Sequence, residues 1–220
     1  MKKILFVAPH PDDETLGCGG TIFKHLNQGD EVHWLILTTT TGSDSFSKEF
    51  TNKRDEEIRK VSELYKFKST TQLDFKTTEL DSYPLKELID TIKKEIEKVD
   101  PECMYVPFYG DPHSDHRISF EVIEAVSKKF RLVNLKSIRA YETLSETGFS
   151  LYRENFKPNL WVDITDTFEK KLEVMKVYQS EVSEHPFPRS SKSIEALATL
   201  RGAEANCFFA ESFMVLKDYQ

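Results

Sequence analysis

Ile4-Leu5-Phe6-Val7-Ala8-Pro9-His10-Pro11-Asp12-Asp13-Glu14-Thr15 decides how the chain folds and where its chemistry sits. The run from Ile4 to Ala8 is short, continuous and apolar, the pattern of a strand covered on both faces, and Pro9 and Pro11 cannot continue its ladder. An imidazole and three carboxylates therefore leave a buried strand at its carboxyl end. In open α/β sheets that edge carries ligand crevices, because rigid strands there feed loops that hold functional groups. His10 and Asp13 are close enough in this turn for a nitrogen and an oxygen to converge on one cation. A catalytic zinc takes three protein ligands and keeps a fourth position for water, so one more donor must come from elsewhere.

The other clustered histidines lie in Tyr109-Gly110-Asp111-Pro112-His113-Ser114-Asp115-His116-Arg117, again after an apolar run, Met104-Tyr105-Val106-Pro107. A parallel sheet with adjacent first and fourth strands would bring the two loops together across its switch point, giving two nitrogens, one oxygen and a place for water. Simpler readings compete. Asp12 or Asp13 could cap a helix whose dipole Glu14 complements, and Asp115 could cap a helix starting near Arg117. Capping leaves His10 and the second cluster unexplained. His113 as a fourth ligand would make a closed structural site, but such sites favour cysteine-rich shells.

His10-Pro11-Asp12-Asp13-Glu14 and His113-x-Asp115-His116 resemble the paired signatures of the LmbE-like, or PIG-L, zinc-dependent N-acetylglucosamine deacetylases. Arg54-x-x-Glu57, Pro158-Asn159, Arg201-Gly202 and Ala210-Glu211-Ser212-Phe213 follow in the order that family has. The resemblance implies a Rossmann-like three-layer α/β sandwich and Zn2+ held by His10, Asp13 and His116. It also implies Asp12 as general base, and His113, oriented by Asp115, as oxyanion stabiliser or general acid. Arg54 would hold a substrate oxygen. The substrate would be a small N-acetylated amino-sugar conjugate whose aglycone, in this family, ranges over polyols, organic acids, lipids and other sugars. A homo-oligomer stays open.

The chemistry asks for these groups independently of the resemblance. An amide is a poor electrophile with a poor leaving group, so its hydrolysis needs an activated water, charge stabilisation on oxygen and a proton for the amine. Zinc serves the first two needs. Asp12, beside a ligand, can accept a proton, and His113 can donate if a carboxylate such as Asp115 raises its pKa and fixes its tautomer. Iron, cobalt or manganese would suit the same donors. Two other functions fit the motifs: a metal-dependent amidohydrolase or esterase acting on a non-sugar substrate, and a noncatalytic ligand-binding relative. The complete set of base and donor argues against the second. Arg54 also reads as part of an ordinary ion-paired helical face, Lys53-Arg54-Asp55-Glu56-Glu57.

Gly17, Gly19 and Gly20 hint at a dinucleotide fingerprint, but its third glycine would fall at Ile22, and threonines occupy the end of the next strand where a ribose-binding acid belongs. They read instead as points of close helix approach. With 220 residues the chain can bury about 70% of its unfolded surface, enough for a single domain over 1–220. A net charge of −7 gives no basic footprint for nucleic acid or an anionic membrane. Cys18, Cys103 and Cys207 lack paired spacing, which suits reduced thiols in a cytoplasmic protein. Lys2-Lys3 resembles a signal-peptide start, yet Pro9 and His10 end the apolar run too soon, and no stretch reaches transmembrane length.

Elsewhere a βαβ rhythm predicts a mostly parallel sheet. The expected strands are Glu31–Thr38, Ser69–Phe75, Cys103–Pro107, Ser137–Thr143, Leu160–Ile164 and Cys207–Leu216. The expected helices are Lys48–Tyr65, Pro84–Val99, Arg117–Phe130, Phe168–Tyr178 and Ser193–Ala205. Loops at Thr38–Ser43 and His185–Ser191 are expected to wall the pocket.

Overall fold

Strand β1 (Lys3–Ala8) is buried on both faces: Ile4, Phe6 and Ala8 join one apolar cluster, Leu5 and Val7 the other. That alternation sets the layers of the computed structural model, which describes residues 1–219. After β1 come α1 (Asp13–Asn27), β2 (Glu31–Thr39), α2 (Lys48–Tyr65), β3 (Ser69–Lys76), α3 (Leu85–Val99), β4 (Cys103–Pro107) and α4 (Ser114–Val126). The chain continues through β5 (Ser137–Tyr141), β6 (Leu160–Asp163), α5 (Phe168–Met175), α6 (Ser191–Ala205) and β7 (Ala210–Asp218).

The strands form one sheet in the order β3-β2-β1-β4-β5-β7-β6. Strands β1 to β5 pair in parallel, while β7 runs antiparallel between β5 and β6. The expected neighbours β1 and β4 are hydrogen-bonded partners, so the chain order reverses beside β1 and a crevice opens at the carboxyl ends of the two strands. One face of the sheet is covered by α1, α2, α5 and α6 through Leu16, Ile22, Val61, Val174 and Ile194. The other is covered by α3 and α4 through Leu88, Ile92, Ile96, Val122 and Val126. The result is the three-layer α/β sandwich with a mostly parallel sheet. Among the described residues, no helix is long and apolar enough to cross a membrane.

Two departures from the expected boundaries have local causes. Helix α4 begins at Ser114 rather than Arg117, because the His113 ring caps it: Nδ1 accepts the Asp115 N–H at 3.1 Å. Strand β7 begins at Ala210 rather than Cys207, because Asn206 takes a left-handed conformation (φ 57°) and closes α6 with a turn. The glycines of α1 serve close packing. A Cβ at Gly17 would sit 2.4 Å from the Tyr141 ring, and one at Gly20 would sit 2.6 Å from Ile164.

Candidate active site

The first turn of α1 is built around an unusual backbone. Asp12 has φ 132° and makes no side-chain cap, so the simple capping reading fails for it. Side chains of the same turn hold this conformation, which costs an L residue about 1–3 kcal/mol. The Glu14 carboxylate accepts the Asp12 N–H at 3.1 Å, and Asp13 Oδ2 accepts the His10 N–H at 2.9 Å. Glu14 is itself fully buried and braced by the hydroxyls of Thr15 and Tyr178. The Asp12 carboxylate is thereby turned into the crevice. No hydrogen bond reaches it among the described residues, and its nearest cation is Arg189 Nε at 4.0 Å.

Across the switch point, α4 delivers His116 from its first turn. Asp13 Oδ2 lies 3.4 Å from His10 Nδ1 and 3.3 Å from His116 Nε2. Donors bonded to one tetrahedral ion at about 2.1 Å stand roughly 3.4 Å apart, so Asp13 Oδ2 has the spacing of a shared ligand set to each imidazole nitrogen, and the ligand atoms of the three residues lie within 4.8 Å of one another. Each imidazole is held by a carboxylate at its far nitrogen: His10 Nε2 by Asp115 at 2.9 Å and His116 Nδ1 by Asp111 at 2.8 Å. This carboxylate–histidine arrangement fixes the tautomer that leaves the inner nitrogen as a donor to a metal. His10, His113 and Asp115 form an alternative cluster. It fits less well, since the Asp115 carboxylate is already occupied by His10 and by the backbone N–H groups of Thr78 and Leu80.

The expected pairing of Asp115 with His113 is corrected here. The Asp115 side chain orients His10, and only its backbone N–H meets His113. Nor does His113 gain a raised pKa. Burial, with the charges of His10 and His116, lowers it to about 4. With Nδ1 accepting from the backbone, the neutral ring carries its proton on Nε2. Asp12 moves the other way, pushed up to about 7 by burial and by the charge of Asp13, against the pull of Arg54 and Arg189. Burial alone would lower His10, but bonds to Asp115 and Asp13 outweigh it and raise it to about 9.

These groups line a cleft of about 240 Å³ together with Thr38, Thr39, Thr40, Phe46, Phe50 and Gln72. The sequence of residues 5–127, over half of the chain, matches the PIG-L family, GlcNAc-PI de-N-acetylase. The chain belongs to the PIG-L family. Diacetylchitobiose deacetylase of Thermococcus kodakarensis is 32% identical over 226 residues, covering 96% of this chain and 82% of that protein. The solved structure of N,N'-diacetylchitobiose deacetylase from Pyrococcus horikoshii superposes with a TM-score of 0.78 at 27% identity, covering 98% of this chain and 84% of that one. A 4-carboxy-2-hydroxymuconate hydratase of Pseudomonas putida reaches a TM-score of 0.77 at 18% identity, over 100% of this chain and 98% of its own. That last likeness is one of fold alone, and a fold does not choose a reaction. This PIG-L protein is a deacetylase of its family, a hydrolase of amide C–N bonds.

Arg54 does reach the PIG-L cleft, but its guanidinium is already engaged. It donates to the Pro11 carbonyl at 3.3 Å and pairs with Glu57 at 3.3 Å and with Glu181. Both walls expected from loops are present in part: Thr38 to Thr40 on one side and Arg189, bound to Glu181, on the other. The sequence assigns no site role to Asp111 or Glu181, and gives Glu14 only a place at the helix dipole. Asp111 had a legible signal, since it stands five residues before His116 at the same strand exit. Asp111→Asn should weaken metal binding by about 10–100-fold, as read by competition with a chromogenic chelator, with the fold retained.

Proposed function

We propose that this PIG-L enzyme is a metal-dependent N-deacetylase of N-acetylglucosamine conjugates, with His10, Asp13 and His116 holding the ion and zinc as the first choice among divalent cations. One observation carries the reading. Asp13 Oδ2 stands at ligand spacing from two imidazole nitrogens, each ring braced by a carboxylate, beside a buried Asp12 carboxylate that no hydrogen bond reaches among the described residues. The names of the diacetylchitobiose deacetylases, 32% and 27% identical to this chain, support the substrate class.

A bound zinc ion supplies Lewis-acid polarisation of the acetyl carbonyl and lowers the pKa of water. Asp12 then takes the proton of the attacking water, because its carboxylate faces the cleft and burial makes it more basic than a free aspartate. His113 offers its Nε2–H to the oxygen on which negative charge develops, acting as a neutral hydrogen-bond donor. Its low pKa argues against a protonated ring as the resident acid at neutral pH. Asp12, once protonated, is the group able to return a proton to the departing amine nitrogen. Asp115 and Asp111 act through the rings they hold, and Arg54 borders the sugar while fixing the Pro11 carbonyl and Glu181. The three cysteines are all unpaired, which supports our placing the enzyme in the cytoplasm.

Purified protein should carry stoichiometric metal, release acetate from an N-acetylglucosamine glycoside, lose that activity on chelation and recover it when zinc is restored. Full activity in metal-stripped protein, or no acetate from any such glycoside, would overturn the reading.

A further inference from the structure

Glu14 is a fully buried carboxylate that the mechanism above does not use. Among the described residues no cationic side chain pairs with it. Three donors hold it instead: the Tyr178 hydroxyl at 2.7 Å and the Thr15 hydroxyl at 2.5 Å on Oε1, and the Asp12 N–H at 3.1 Å on Oε2. Since the Thr15 hydroxyl donates to Glu14, the Tyr65 hydroxyl, 3.0 Å away, donates to Thr15. Glu14, Thr15, Tyr65 and Tyr178 are each no more than 1% exposed. A charge taken this far from water without a counterion is costly, and proteins keep such groups where function depends on them.

What depends on Glu14 is the Pro11–Asp12 peptide. Glu14 takes its N–H and Arg54 donates to its carbonyl at 3.3 Å, so both edges of one peptide plane are fixed, and the Arg54 guanidinium lies 5.9 Å from the centre of the Tyr178 ring. Asp12 stands at the N-cap of α1, where its carbonyl accepts the N–H groups of Thr15 and Leu16. An aspartate there ordinarily has extended backbone and turns its carboxylate onto a first-turn N–H. Asp12, at φ 132°, does neither. Relaxation to the ordinary cap would withdraw the base from the cleft. The bond to Glu14 opposes that relaxation, and Tyr178 holds Glu14 from a turn three residues beyond α5.

We infer that Tyr178 is a positioning residue for the deacetylation: by fixing Glu14 it keeps the Asp12 carboxylate in the cleft, and Tyr65 supports Glu14 through Thr15. Neither tyrosine lines the cleft. The inference rests on the reading of Asp12 as base and goes beyond it by assigning the distant residues that hold the base in place.

The test compares zinc-loaded wild type, Tyr178→Phe, Tyr65→Phe, Asp12→Asn and the double variant Asp12→Asn/Tyr178→Phe for acetate release from an N-acetylglucosamine glycoside. Tyr178→Phe keeps the ring but loses a hydrogen bond to a buried carboxylate, so kcat should fall about tenfold, with KM and zinc content close to wild type. Tyr65→Phe, one bond further away, should lower kcat in the same direction by less. In the Asp12→Asn background the Tyr178 change should have no effect, because a side chain that cannot accept a proton gains nothing from its position. A tenfold loss by this route leaves about nine molecules in ten with Asp12 turned away, so a crystal structure of Tyr178→Phe should show its carboxylate on a first-turn N–H of α1. Wild-type kcat in Tyr178→Phe, a loss that persists in the Asp12→Asn background, or an unmoved Asp12 in the slowed variant would overturn the positioning role alone. Asp12→Asn with wild-type kcat would overturn the base and this inference with it. No acetate from wild type would overturn the deacetylase reading and both of these together.

Discussion

Asp12→Asn should lose about 10²–10⁴-fold in kcat and keep its metal. The asparagine has the shape of the aspartate but cannot accept a proton, and Asp12 is not among the three residues whose ligand atoms come together. Its backbone is held by Glu14 through the Asp12 N–H, a bond the substitution leaves in place. The loss should therefore fall on kcat, with metal content and thermal midpoint close to wild type. The pH profile gives a second reading. Burial and Asp13 raise the Asp12 pKa to about 7, and a carboxylate is a base only above its pKa. Wild-type kcat/KM should thus fall as pH drops through this range. A cation on the neighbouring ligands moves that limb down from 7, towards the value near 3.9 of a free aspartate. The limb should be missing from the residual activity of the asparagine variant. A variant within tenfold of wild-type kcat, or one with an unaltered acid limb, would remove Asp12 from the role of base.

The sequence shows the sheet and the ligand atoms well because both depend on short-range signals. Apolar runs that stop at Pro9 and after Pro107 mark strand ends, and the adjacency of β1 and β4 then brings His10 and His116 together. What the sequence hides is how the polar groups are shared. Asp115 stands two positions from His113, yet its carboxylate serves His10, whose ring lies in a loop more than a hundred residues earlier. Only the tertiary placement of α4, beside β4 and under the Thr78 and Leu80 N–H groups that hold the Asp115 carboxylate, decides this. Arg54 shows the same limit: its helix turns it into the cleft, where Glu181, from a loop with no recognisable motif, partly claims it. Some of the late family-like residues turn out to be structural. Arg201 pairs with Glu142, and a Cβ on Gly202 would meet the Phe208 carbonyl at 2.5 Å.

Glu211, in the last of those motifs, leads to the largest expected effect on stability: Lys171→Met should cost about 3–5 kcal/mol. Lys171 and Glu211 are both almost fully buried, with Nζ and Oε1 2.7 Å apart. Glu211 also accepts the N–H groups of Gly20 and Thr21, and Lys171 donates to the Leu16 carbonyl. The pair thus ties the middle of α1 to α5 and β7, two elements that meet α1 only through the tertiary fold. Methionine keeps the length and apolar stem of lysine but leaves Glu211 as an uncompensated buried charge, and that residual charge, more than the lost attraction, sets the cost. Adding Glu211→Gln should recover part of the loss, because glutamine removes the charge while its carbonyl still accepts one of the two α1 N–H groups. Urea unfolding followed by circular dichroism measures both variants. A single variant within about 0.5 kcal/mol of wild type, or a double variant less stable than the single, would show that α1 does not depend on this pair. The helix carrying Asp13 would then be positioned by its apolar face alone.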